Sequence, residues 1–188
     1  MDKEQIANQL KLEYALYKRI DAVRMLVLDQ YADKIFTLFD TIKKCRGTIY
    51  ICGNGGSALT AQHWALHLSE LGKDVRCLVD NVGLLTAIAN DYDYEGIFWC
   101  QLRKRITEDD LLIMISGSGL SSNIKALTSS AGYKVGIFAR VMPKRIDPSK
   151  VFSLRERCDL LIDLPTTEYG TAEDMHLMLI HLLVELNG

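Results

Sequence analysis

Five short runs rich in β-branched and aromatic residues, each followed by a stretch at helical spacing, constrain this chain more than any other feature. The runs are residues 48–52, 75–79, 111–115, 135–139 and 160–164, and they read as buried strands. Helical stretches fall at about 58–71, 83–89, 94–106, 121–130 and 172–186. Strands alternating with helices of that length imply a parallel sheet covered on both faces, because each right-handed crossover needs a helix to return the chain. The expected fold is α/β, a doubly wound five-stranded parallel sheet. Two helices precede it within residues 3–45, where Ile35, Leu38, Phe39 and Ile42 recur at helical spacing among charged neighbours. Apolar helices placed ahead of the first strand must pack on the sheet flank or on another subunit, so an oligomer is expected.

With 188 residues, the chain has the length of one domain able to bury a core without disulfides. It divides into helices over 1–45, assigned to oligomer packing, and an α/β core over 46–188. Twenty-four acidic residues against 22 basic ones leave a net charge of -2, with no basic stripe or tail, which speaks against a nucleic-acid partner. No run is long and apolar enough for a signal peptide or membrane span, so no membrane partner is expected. Five cysteines, scattered and without a C-x-x-C pair, fit a reducing cytoplasm better than a disulfide framework. Residues 140–156, carrying Pro143 and Pro148 among basic side chains, read as a solvated surface excursion.

Ligands of open α/β sheets sit at the carboxyl ends of the strands, so the loops there come first. Gly53-Asn54-Gly55-Gly56-Ser57 follows the first strand, and Ser116-Gly117-Ser118-Gly119-Leu120-Ser121-Ser122-Asn123 follows the third. Glycines admit an anion close to the backbone, and hydroxyls and helix N-termini donate to it. Both loops suit a phosphate or a sugar hydroxyl. Neither is a dinucleotide fingerprint or a Walker A loop.

All four histidines lie in two helical segments, His63 and His67 early, His176 and His181 late. His63 and His67 are four apart, about 40° around a helix, a spacing that lets two imidazoles reach one metal. Glu173 and His181 are about 80° apart, whereas His176 and His181 differ by about 140°. Glu173 and His181 can therefore share a site, and His176 reads as a core residue. No serine or cysteine sits in a nucleophile motif, which leaves acid/base or metal chemistry.

Four blocks in order, Cys52 to Ser57 with Ala61-Gln62-His63, Leu85 to Asp91, Ser116 to Ser121, and Glu173 through His181, resemble the sugar isomerase (SIS) superfamily. Within it, the resemblance is to the phosphoheptose isomerases and spans nearly the whole chain. It implies the SIS fold, a homotetramer with sites shared between subunits, and isomerisation of sedoheptulose 7-phosphate to D-glycero-D-manno-heptose 7-phosphate for heptose or polysaccharide precursor synthesis. By the same resemblance Ser116, Ser118 and Ser121 would hold the phosphate, and Asn54, Ser57 and Asp91 would contact the sugar. His63 and His181 match metal positions, and His181 also matches a proposed general acid/base.

The chain departs from that pattern at several points. His67 stands where the family has a catalytic glutamate, Glu173 where it has a glutamine, Gly170 where an aspartate is expected, and Gly117 where a threonine is expected. The loop after Ser69 is short and lacks the family's arginines. His63, His67, Glu173 and His181 together offer three imidazoles and one carboxylate, a set suited to zinc or another divalent metal. His67, Glu173 and His181 are the candidates for proton transfer. Two outcomes stay open: the four ligands close around a structural ion, or Glu173 or His67 transfers the proton beside it. A non-catalytic SIS protein binding a partner such as a replication initiator is the alternative function, and a sugar-phosphate sensor a third.

Overall fold

The computed structural model describes residues 3–26, 29–143 and 155–187. Five strands, β1 (Ile49–Gly53), β2 (Val75–Cys77), β3 (Leu111–Ser116), β4 (Tyr133–Ala139) and β5 (Leu160–Leu164), pair in parallel in the order β2-β1-β3-β4-β5. Ile49 is aligned with Val75 on one side and Leu111 on the other, Leu111 with Tyr133, and Val135 with Leu160. Every residue of β1 and β3 is buried, as expected of strands covered on both faces.

The pleat divides the apolar side chains into two layers. On one face Ile49, Ile51, Ile113 and Ile137 pack under α2 (Asp29–Lys44), α3 (Gly56–Glu70) and α7 (Tyr169–Asn187), through Leu38, Trp64, Leu68 and Leu179. On the other, Tyr50, Cys52, Met114 and Phe138 pack under α4 (Val82–Asp91), α5 (Gly96–Leu102) and α6 (Ser122–Lys125), through Ile88, Phe98 and Ile124. The helix expected over 121–130 is only four residues of α6, followed by a 3-10 segment, Ala126–Ser129. The Thr128 and Ser129 hydroxyls donate to the carbonyls of Lys125 and Ala126, the local competition that makes such residues poor helix interiors. Strand β2 likewise stops two residues early, at Cys77, as the chain turns away from the sheet edge.

The first helix, α1 (Lys3–Met25), is anchored by few contacts: Lys18 pairs with Glu168, Arg19 pairs with Asp174, and Ala22 is buried. Leu10 and Tyr17 are 59% and 65% exposed, so this helix has most of its apolar surface still to cover. Of the excursion expected over 140–156, residues 144–154 lie outside the described residues. No helix among the described residues is long and apolar enough to cross a membrane.

His176 is a core residue, as its helix position predicts. It is fully buried, its ring Nε2–H donates to the Ile137 carbonyl at 3.1 Å, and Nδ1 has no partner among the described residues. Burial pushes its pKa down to about 4. The unfolded chain therefore binds a proton below about pH 6.5 that the native state refuses until about pH 4. Native stability should fall with pH across that window by about 3 kcal/mol from this residue, and not above it. Urea unfolding of wild type and His176→Leu from pH 7.5 to 4.5 checks this: the variant's stability should decline less steeply, and parallel profiles would refute the assignment.

Candidate active site

The strand order reverses direction between β1 and β3, and the loops leaving those two strands diverge there, the usual ligand position in an open α/β sheet. The two loops are tied together by a reciprocal amide pair. Asn54 Nδ2 donates to Asn123 Oδ1, and Asn123 Nδ2 donates back to Asn54 Oδ1, both at 2.9 Å. The Tyr94 hydroxyl donates to the same Asn54 oxygen at 3.0 Å. Asn54 is thus held rigidly at the mouth of a cleft of about 380 Å³, lined by Gly53, Gly55, Gln62, Thr86 and Tyr94 among others. Asn123 and Tyr94 are additions to the expected set; Asn123 lies in the serine loop, while nothing local in the sequence marks Tyr94.

Ser116 and Ser118 are buried, and their hydroxyl oxygens shape their own loop. Ser116 Oγ accepts from the backbone N–H of Ser118 and Gly119, and Ser118 Oγ accepts from Leu120 N–H. Accepting these bonds leaves each hydroxyl its own proton to donate. Gly119 has φ +70, and a Cβ there would strike the Phe138 ring, so both backbone and space call for glycine. Ser121 precedes α6, whose four residues provide far less dipole than the expected ten-residue helix would. Ser57 is buried in the first turn of α3. Asp91 ends α4, exposed, accepting from Asn90 Nδ2 at 2.9 Å.

Across the sheet's other face, α3 and α7 lie side by side, with Trp64 Nε1–H donating to the His176 carbonyl at 2.8 Å. This contact brings together three of the four expected ligands. His63 Nε2 is 2.9 Å from His181 Nε2 and 3.1 Å from His67 Nε2, with all three ligand nitrogens within 4.8 Å of one another. Nitrogens bound to one tetrahedral zinc ion at about 2.0–2.1 Å would stand about 3.3 Å apart, so a small outward movement accommodates an ion. Partial burial, then the neighbouring His67 and His181, pushes the His63 pKa down and favours the neutral, ligating form. Ring nitrogens facing one another this closely cannot all carry a proton, and a cation would satisfy their lone pairs together. The three histidines fit a divalent metal.

Glu173 does not join them. Its carboxylate lies against Gly56, where a Cβ would fall on it, at the N-terminus of α3 and beside the Gly53–Ser57 loop. Among the described residues it has no hydrogen-bond partner. The 80° separation from His181 omits the axial term: eight residues are also about 12 Å of helix rise, so sharing an ion would require both side chains to span that length. Among the described residues the cluster is therefore three imidazoles and no carboxylate. At Gly170 the Arg19 guanidinium stands 3.2 Å from where a Cβ would be.

Residues 15–135 match the family model described as SIS domain. The chain is 31% identical over 174 residues to the phosphoheptose isomerase of Laribacter hongkongensis, with 87% of each chain covered. It is 32% identical over 190 residues to that of Helicobacter pylori strain 26695, covering 97% of this chain and 91% of the relative. Among solved structures, phosphoheptose isomerase GmhA from Neisseria gonorrhoeae superposes with a TM-score of 0.77 at 25% identity, over 95% of this chain and 97% of the other.

Proposed function

The chain belongs to the SIS domain family, among the phosphoheptose isomerases, and from that premise we propose that it interconverts sedoheptulose 7-phosphate and D-glycero-D-manno-heptose 7-phosphate with the help of a divalent metal. The observations that carry the reading are three imidazoles converging between α3 and α7 and, at the N-terminus of α3 beside the β1 loop, a carboxylate with no hydrogen-bond partner among the described residues. In the cell this activity supplies heptose or polysaccharide precursors in the cytoplasm.

Ketose-to-aldose conversion breaks a C1–H bond and forms a C2–H bond, through an enediolate whose oxygen charge must be stabilised. Glu173, half-buried and without a hydrogen-bond partner among the described residues, is the base that takes the proton from one carbon and returns it to the next. His63, His67 and His181 are the residues that would hold the metal, and a bound cation would supply Lewis-acid polarisation of a substrate oxygen that reaches it. In this division His67 and His181 act as ligands, and the proton-transfer role falls to Glu173. Ser116, Ser118 and Ser121 bind the phosphate through their hydroxyl protons. Asn54, Ser57 and Asp91 meet the sugar. The whole chain acts as one SIS domain, with residues 1–45 packing subunits into a homotetramer through the uncovered apolar side of α1.

Purified protein loaded with zinc should convert sedoheptulose 7-phosphate to the aldose, followed by NMR, and lose the activity on chelation. Zinc-loaded protein that binds metal but turns over neither this nor other ketose phosphates would overturn the proposal and favour the non-catalytic reading.

A further inference from the structure

The last turn of α3 places Glu70 three residues after His67, on the same helix face. Its Oε2 lies 3.1 Å from His67 Nδ1. A carboxylate accepts only from a protonated ring nitrogen, so this contact places a proton on His67 Nδ1, and the nitrogen through which the ring can ligate is then Nε2, which faces His63 and His181. We infer that Glu70 is a positioning residue of the metal site: it fixes the tautomer and ring orientation of His67, making that residue a third imidazole ligand. The inference rests on the metal reading above.

Two features make the contact more than a surface ion pair. The Glu70 side chain is 62% exposed while that of His67 is 21% exposed, so the carboxylate reaches inward from solvent to a ring already committed to the cluster. An exposed pair of this kind contributes little to folding, which removes fold stability as the reason for it. The helix also ends here: Leu71 N–H bonds back to the His67 carbonyl and Gly72 turns with φ +78, fixing the backbone on which both side chains stand. Elsewhere, hydrogen-bonding partners behind metal-bound histidines raise the ligand's basicity, and their loss costs about 10- to 100-fold in metal affinity.

The test is zinc affinity by competition with a chromophoric chelator, together with the visible spectrum of the cobalt(II) form, on wild type, Glu70→Ala and Glu70→Gln. Glu70→Ala should bind zinc about 10- to 100-fold more weakly and show altered cobalt bands, with an unchanged circular dichroism spectrum. Glu70→Gln, whose amide oxygen can still accept from Nδ1–H, should recover most of the affinity and the cobalt spectrum. Equal losses in the two variants would indicate a charge effect at a distance and overturn the positioning role, as would wild-type affinity in Glu70→Ala. Wild type that binds neither metal would remove the premise, and the inference with it, a result distinct from either variant outcome.

Discussion

Glu173→Gln should lower kcat for heptose phosphate isomerisation by about 10²- to 10⁴-fold, the range that loss of a general base produces. The substitution keeps the shape that packs against Gly56, so the α3–α7 contact and the fold remain while the basic oxygen pair is lost. Because the carboxylate stands apart from the three histidines, the variant should hold zinc as wild type does and bind the sugar phosphate with little change in KM. Gly56→Ala supplies a second approach to the same group, because the added methyl displaces the carboxylate without removing it; its rate should also drop. A Glu173→Gln rate within a few-fold of wild type would show that another residue takes the proton. Loss of zinc along with activity would make Glu173 a ligand after all.

What the sequence makes legible, and what it hides, follows from the range of the interactions involved. The strands are legible because both faces of β1 and β3 are covered, so Ile49 to Cys52 and Leu111 to Ile115 carry unbroken apolar runs. Helix ends are less so: the Thr128 and Ser129 hydroxyls divert a predicted ten-residue helix into a 3-10 segment, and Asp93 Oδ1 caps Gly96 N–H, starting α5 two residues late. His63 and His67 are a local pair, visible as a spacing of four. Their partner His181 is 114 residues beyond His67, and only the seating of α7 beside α3 delivers it. The angle between Glu173 and His181 is compatible with a shared site, but a helical wheel discards rise along the axis, and rise is what separates them. Glu70 was readable three residues after His67, yet a carboxylate so placed has meaning only once the ring it faces is known to point elsewhere with its second nitrogen.

His63→Ala is the second substitution with a large expected effect, because His63 Nε2 is the nitrogen that contacts both of the others. Without it, His67 and His181 remain, their ring centroids 5.4 Å apart, two ligands in place of three. Zinc affinity should fall by more than the roughly 10- to 100-fold that losing an outer hydrogen-bonding partner costs. Isomerase activity should drop to the level of chelated wild type. Stability gives an independent readout: an ion that binds only the native state at a hundredfold excess over its Kd adds about 2.7 kcal/mol, seen as a rise in Tm. Wild type should show that rise and His63→Ala should not. Removal of the ion from wild type should leave a folded protein, because Trp64, Leu68 and Leu179 hold α3 and α7 to the sheet without using the histidines. His67→Ala and His181→Ala should each behave much as His63→Ala does, and the double variant scarcely worse, since groups that act as one unit do not lose function additively. Zinc-dependent stabilisation surviving in His63→Ala would mean that the converging nitrogens are not where the ion sits. Its loss there, with its persistence in Glu173→Gln, would assign charge stabilisation and proton transfer to different side chains of the same pair of helices.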